Sequence, residues 1–171
     1  MSSIIAGKYK GYKIKINNLK NVRPTLARVK KSIFQILEPI ENKKILDLYS
    51  GTGSIGLEFL SRGASNVTMI ERSRKMGSIL NKNISHIHLD DNYNVICNDA
   101  IKFLKKNTET YDIIFADPPY NTIEFNDLHQ RIEPSLANNG IFCMEMKKKT
   151  IIGTTLDIRV YGNTQVVIWK K

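Results

Sequence analysis

The sequence predicts an α/β fold with a mostly parallel seven-stranded sheet, helices on both faces and an antiparallel hairpin at its C-terminal end. Three observations predict it. From Lys43 onward, short β-branched runs alternate with helix-period stretches across short connections, the pattern of a parallel sheet covered on both sides. The run Tyr111-Asp112-Ile113-Ile114-Phe115-Ala116 is apolar nearly throughout, as a strand buried on both faces must be. Near the end, Gly162-Asn163 separates two further β-like runs, and such a dipeptide favours a tight hairpin turn.

Taken in order, residues 1–42 read as a basic extension packed on a main domain of residues 43–171. Residues 4–16 form two short β-like runs around Gly7 and Gly11. The second alternates Tyr12, Ile14 and Ile16 with Lys13 and Lys15, which predicts a hairpin with one basic face. Arg23-Pro24-Thr25 leads into a helix with Thr25 as N-cap, an apolar stripe of Leu26, Val29, Ile33, Phe34 and Leu37, and Arg28, Lys31 and Gln35 outward. In the main domain, strands are expected near 44–49, 66–71, 93–97, 111–116 and 140–145. Helices are expected near 54–62, 74–87, 99–106 and 124–137, and the terminal hairpin near 155–161 and 164–169.

With 171 residues, 42% of them apolar and 25% charged, the chain fits one soluble globular domain. Its longest apolar run falls short of a membrane span and its start lacks the pattern of a secretory leader, so a cytoplasmic protein with no membrane partner, and a monomer, is expected. Cys97 and Cys143 show no metal-ligand spacing and read as buried, reduced thiols in strands. His86, His88 and His129 lie on or near the predicted helices and read as surface residues.

The net charge of +10 is concentrated at one end. Residues 1–44 hold 11 Lys or Arg against Glu38 and Glu41, while residues 45–171 hold 15 against 14 acids. A near-neutral body with a basic front suggests a footprint for a polyanion, against the plainer reading of solvated lysines.

Asp117-Pro118-Pro119-Tyr120 follows the most apolar strand, and strand ends are where α/β sheets place their chemistry. Two prolines remove two donors and stiffen the loop. What remains is a carboxylate, free carbonyls and one aromatic ring. This surface suits a planar group with an NH2 on its edge, such as a nucleobase amine; the alternative is a turn that merely closes a strand.

The first body strand, Ile45-Leu46-Asp47-Leu48-Tyr49, runs into Ser50-Gly51-Thr52-Gly53-Ser54-Ile55-Gly56, a G-x-G-x-x-G loop opening a helix. Glu71 stands 20 residues after Gly51 at the end of the next strand, placed to accept from ribose hydroxyls. Both S-adenosyl-L-methionine and dinucleotide sites have this form. The acids Asp47, Asp99 and Asp117 at one sheet edge separate them: a carboxylate about 6 Å from a sulfonium gains roughly 3 kcal/mol, and the same interaction repels a pyrophosphate. Asp99, with the backbone of Ala100, reads as an acceptor for the adenine amine, as a helix N-cap, or as both. Tyr49, Ser50, Gly51, Gly53 and Arg72 complete the cofactor-binding set.

These motifs, in this order, resemble the Rossmann-like class I methyltransferases that methylate exocyclic amines. Arg23-Pro24-Thr25 with Arg28-Val29, the run from Asp47 to Glu58 followed by Ser61-Arg62-Gly63-Ala64, Asp117-Pro118-Pro119-Tyr120 and Tyr161-Gly162-Asn163-Thr164 look like the RsmD family, nearly end to end. That resemblance implies transfer of a methyl group to N2 of guanine 966 in bacterial 16S ribosomal RNA, with the 30S subunit or an assembly intermediate as partner and no metal. Lys8, Lys10, Lys13, Arg23, Thr25 and Arg28 then fall to RNA binding, Asp117, Pro118, Pro119 and Tyr120 to catalysis. Ser73 stands where the family usually has Asp after the cofactor-binding Glu, and the connection before the final hairpin is short. Alternatives are DNA adenine-N6 methylation, for which no target-recognition insertion is present, and protein glutamine methylation, whose motif begins with Asn. A silent RNA-binding or ribosome-assembly factor has no need of both loops, and a nicotinamide dehydrogenase is opposed by Asp47.

Overall fold

A computed structural model of the chain describes residues 2–15, 27–87, 92–119, 122–151 and 156–171. Strands β1 (Ser2–Ser3) and β2 (Lys13–Ile14) pair as an antiparallel hairpin, followed by α1 (Ala27–Leu37). The body then alternates: β3 (Lys44–Leu48), α2 (Gly56–Ser61), β4 (Asn66–Ile70), α3 (Arg74–Ile87), β5 (Tyr93–Ile96), α4 (Ala100–Lys106), β6 (Tyr111–Ala116) and α5 (Phe125–Ile132). A 3-10 turn over Glu133–Ser135, β7 (Leu136–Lys147), β8 (Asp157–Tyr161) and β9 (Thr164–Lys170) complete it.

The large sheet has the order β5-β4-β3-β6-β7-β9-β8. Strands β3 to β7 run parallel, β9 is antiparallel to β7, and β8 closes the hairpin on β9. Strand period two sends alternate residues to two cores. On one face Ile45, Val67, Ile113 and Phe115 meet Ile33 and Phe34 of α1, Leu57 and Phe59 of α2 and Leu80 and Ile84 of α3. On the other, Leu46, Leu48, Ile114 and Ala116 meet Leu104 of α4 and Phe125, Leu128 and Ile132 of α5.

The N-terminal hairpin joins the first core through Ile4 and Ile14, each 1% exposed, while Lys13 and Lys15 stay in solvent. Among the described residues its ladder pairs Ser2–Ser3 with Lys13–Ile14, so the first strand is Ser2–Ser3 rather than Ile4-Ile5-Ala6; Ile16 lies outside the described residues. The turn rests on the end of α2. Lys8 N–H donates to the Ser61 carbonyl at 2.7 Å, and a Cβ on Gly7, whose φ is +79°, would lie 1.8 Å from that oxygen. On α1, Val29, Ile33, Phe34 and Leu37 are buried and Arg28, Lys31 and Gln35 exposed, as the spacing predicts. Arg23, Thr25 and Leu26 lie outside the described residues.

Four expectations are corrected. The helix expected to reach residue 137 ends at Ile132, because Pro134 has no N–H for a continuing helix, and the strand expected from 140 begins at Leu136. Between Leu136 and Ile141 the β6–β7 register shifts, with Asn139 at φ 63°. Cys97 is exposed and lies just past β5, whereas Cys143 is buried in β7 and its thiol pKa is pushed up by burial. His129 is half-buried: its ring lies 4.2 Å from that of Trp169, edge-on, and stacks towards Phe125 and Phe142. An imidazole is the flat, polar-edged ring that such a half-wet aromatic stack accommodates.

Candidate functional site

The parallel register brings three strand ends level. Asp47 pairs with Phe115 and Phe115 with Cys143; Leu48, Ala116 and Met144 follow. Ile45, Phe115 and Cys143 belong to the core beneath α1, α2 and α3, so Asp47, Asp117 and Glu145, two residues on from each respectively, face that same side. Asp47 therefore sits one pleat behind Asp117 and Glu145.

Asp47 is 1% exposed, and its Oδ2 has no hydrogen-bond partner among the described residues. Burial raises its pKa to about 7; Ser50 and the Gly56 N–H draw it back in part, and the charge of Glu71 adds to the rise. A buried acceptor without a donor is costly, and its presence in a folded core points to a ligand that supplies the missing charge or proton. Gly56 permits the close approach of α2: a Cβ there would meet Met69 Sδ at 2.5 Å and Asp47 Oδ2 at 3.0 Å.

The loop from Tyr49 to Gly56 is tightly turned. Tyr49 holds φ 63°, a left-handed conformation that is strained for an aromatic residue, and Gly51 and Gly53 hold +56° and +85°. Ser50 is buried and its hydroxyl donates to the Asp47 carbonyl at 2.7 Å. Across the loop, Glu71 accepts from Gly51 N–H at 2.9 Å and from Ser73 N–H at 2.7 Å. The residue after Arg72 thus orients Glu71 through its backbone, so Ser serves there without an acidic side chain. Arg72 is exposed, and its carbonyl receives the Cys97 thiol at 3.8 Å.

Asp99 is the N-cap of α4: its Oδ1 accepts from Ile101 N–H at 3.0 Å and Lys102 N–H at 3.1 Å, with Ala100 buried behind it. The capping reading of this residue is the one the geometry displays.

At the end of β6, Asp117 is half-buried. Desolvation, then the charges of Glu145 and Asp47, hold its carboxyl well above the usual carboxylate range. Pro118 is buried and Pro119 exposed, its carbonyl accepting from Thr122 N–H at 3.2 Å and Thr122 Oγ1 at 2.6 Å. Tyr120 lies outside the described residues.

Of the predicted cations, Lys8, Lys10, Lys13 and Arg28 are all exposed. Sequence reasoning missed Glu145 and a buried pair, Lys30 with Glu58. Signals existed: Lys30 falls at helical spacing from Ile33, Phe34 and Leu37, inside the stripe, and Glu58 interrupts Leu57, Phe59 and Leu60. Lys30 Nζ reaches Glu58 Oε2, the Ser3 carbonyl at 3.1 Å and Ser54 Oγ at 3.4 Å, and Ser54 Oγ meets Ser2 Oγ at 2.9 Å. The hairpin is thereby fastened to the glycine loop. A second tie runs through Asn83 of α3, whose amide donates to the Thr52 carbonyl at 2.9 Å and the Lys15 carbonyl at 3.2 Å.

The comparisons agree with this architecture. The family described as Conserved hypothetical protein 95 matches residues 2–170. Ribosomal RNA small subunit methyltransferase D of Buchnera aphidicola (subsp. Acyrthosiphon pisum) is 35% identical over 157 residues, covering 87% of this chain and 80% of that protein. The protein of the same name from Haemophilus influenzae is 36% identical over 142 residues, covering 81% and 72%. Among solved structures, the candidate methyltransferase yhhF of Escherichia coli superposes with a TM-score of 0.86 at 27% identity, covering 99% of this chain and 97% of that one. Sheet order, glycine loop and sequence relatives together make this chain a class I methyltransferase that belongs to the RsmD family.

Proposed function

We propose that the chain transfers a methyl group from S-adenosyl-L-methionine to the exocyclic N2 of a guanine in 16S ribosomal RNA, guanine 966 by family resemblance. One observation carries the reading: desolvated carboxylates from β3 and β6 meet at one sheet edge, directly before two prolines. The donor set fits the cofactor. Asp47, buried and with Oδ2 unpartnered, suits a cationic group; Glu71, held by two backbone amides, keeps acceptor capacity for ribose hydroxyls, and the loop Tyr49, Ser50, Gly51, Gly53 surrounds them. Arg72, Asp99 and Ala100 flank the adenine end. When bound, the cofactor supplies a methyl group activated on a sulfonium.

The chain's own residues prepare the base. Asp117 and the Pro118 carbonyl accept the two protons of the amine, which turns the nitrogen lone pair out of conjugation with the ring. Asp117 need not be a strong base, because the amine becomes acidic once methylated. Pro119 holds the loop and Tyr120 stacks on the base, worth roughly 1 to 3 kcal/mol of binding. Rate comes from positioning and electrostatics. The target base must be unpaired or flipped out of its stack.

Lys8, Lys10, Lys13, Arg23 and Arg28 are assigned to phosphates and Thr25 to the same RNA, and about five phosphate contacts imply a log-log salt slope near −3.5. The Buchnera and Haemophilus relatives are named for small-subunit ribosomal RNA, which supports that substrate class; the proposal adds the 30S subunit or an assembly intermediate as its context, a cytoplasmic place of work and a monomeric enzyme without metal. The test is methyl transfer from labelled S-adenosyl-L-methionine to unmodified small-subunit particles and to naked ribosomal RNA, with nucleosides identified by mass spectrometry. N2-methylguanosine at one position, lost in Asp117→Ala, is expected. N6-methyladenosine instead would overturn the guanine assignment.

A further inference from the structure

We propose that Glu145 is a specificity-determining residue of this site: it accepts the N1–H of the guanine whose N2 amine is held by Asp117. The inference rests on the guanine reading above and says how the site tells guanine from adenine.

The geometry comes from the sheet. Ala116 of β6 and Met144 of β7 are paired in parallel register, so Asp117 and Glu145 occupy the next position on adjacent strands. Two residues on from Phe115 and Cys143, both face the side of the sheet that holds Asp47, on neighbouring strands in register, and the Glu145 charge contributes to the raised pKa of Asp117. Glu145 is 6% exposed. It stands on the strand next to the turn that opens at Asp117, and Asp47 Oδ2 lies one pleat behind with no hydrogen-bond partner among the described residues. This sheet edge therefore carries adjacent acceptors from neighbouring strands.

Adjacent acceptors match a ligand edge that carries adjacent donors. On guanine, N1–H lies beside the N2 amine, so one carboxylate takes an amine proton while its neighbour takes N1–H. On adenine, the amine stands between two ring nitrogens, N1 and N7, that are both acceptors. Glu145 would then face a lone pair, and a buried acceptor pointed at another acceptor is the arrangement that hydrogen-bonding sites reject most strongly.

The test separates N1–H from the rest of the base. An RNA substrate is prepared with guanine or 2-aminopurine at the target position; 2-aminopurine keeps the N2 amine but has a bare acceptor at N1. The wild-type enzyme is expected to prefer guanine by on the order of 10²-fold or more in kcat/KM. Glu145→Gln, whose amide can donate to a bare N1, is expected to narrow that preference at least tenfold, with cofactor affinity unchanged. Equal use of the two bases by the wild type overturns the proposal. So does an unchanged preference in a folded, cofactor-binding Glu145→Gln variant, and in both cases the guanine-methylating function stands. If Glu145→Gln does not fold, the wild-type preference alone decides. Failure of the wild type to methylate guanine in any RNA removes the function and this inference together.

Discussion

Lys30 Nζ lies 3.0 Å from Glu58 Oε2, and the two side chains are 2% and 0% exposed. Glu58 also accepts from Ile5 N–H at 2.8 Å, Ala6 N–H at 3.0 Å and Arg62 Nε at 2.9 Å. One carboxylate thus satisfies two backbone donors of the N-terminal segment and two cations, Lys30 of α1 and Arg62 at the C-cap of α2. Burial pulls the Lys30 pKa down and Glu58 only partly restores it, as expected when desolvation competes with pairing.

Breaking that pair should be expensive. Glu58→Ala strands a buried ammonium and two amides, and a loss of about 3 to 5 kcal/mol is expected. Urea unfolding would read it as a lower midpoint at unchanged slope. Reversing an exposed charge such as Lys31→Glu should stay within about 0.5 kcal/mol.

Asp47 predicts a pH dependence of stability. Its folded pKa, about 7, stands above the ordinary aspartate value of 3.8 expected in the unfolded chain. The folded state therefore binds the extra proton between these values, and stability falls as pH rises through that window, by an amount on the order of 4 kcal/mol in the cofactor-free protein. Asp47→Asn should remove the slope. Its melting temperature should match the wild type near pH 4 and exceed it above pH 7, while its affinity for S-adenosyl-L-methionine drops. A cationic ligand favours the ionised acid, so the cofactor should bind more tightly as pH rises through the same range.

In the proposed mechanism Asp117 accepts in its ionised form, and its carboxyl is held well above the usual carboxylate range. The acidic limb of kcat/KM is therefore expected at a higher pH than an ordinary aspartate gives. Removing the Glu145 charge should move that limb to lower pH, since that charge is the second cause of the rise. Initial rates across a pH series, with cofactor saturating, check both.

The loop glycines should differ in their tolerance. A Cβ on Gly53 would lie 2.2 Å from Leu80 Cδ1 at φ +85°, whereas at Gly51 the nearest atom beyond the neighbours is 3.6 Å away. Gly51→Ala should cost about 1 kcal/mol from backbone conformation alone. Gly53→Ala adds a clash and should cost roughly 1 to 3 kcal/mol more, with a matching loss of cofactor affinity by calorimetry.

Local patterns made much of the fold legible. The apolar run of β6, the alternation of Lys13 and Lys15 with Ile14, the stripe Val29, Ile33, Phe34 and Leu37, and the Gly162-Asn163 turn each encode their element within a few residues. Periodicity is a short-range property, so a single chain displays it. The helix extended past Ile132 shows the limit: helical spacing continued further than Pro134 allows, and only the β6–β7 pairing determined where β7 begins.

Local pattern specifies most of the elements, the parallel sheet implied by their alternation, and which motifs occupy strand ends. Strand order and the burial of charges together emerge only when the elements pack. Lys30 and Glu58 are 28 residues apart in sequence, Asp117 and Glu145 likewise 28, so no local window shows either pairing, although Lys30 falls within an apolar stripe and Glu58 interrupts an apolar run. Their meaning arises when register aligns two strands and a helix docks over a loop, because the cost of a charge depends on the solvent it loses and the partner it meets.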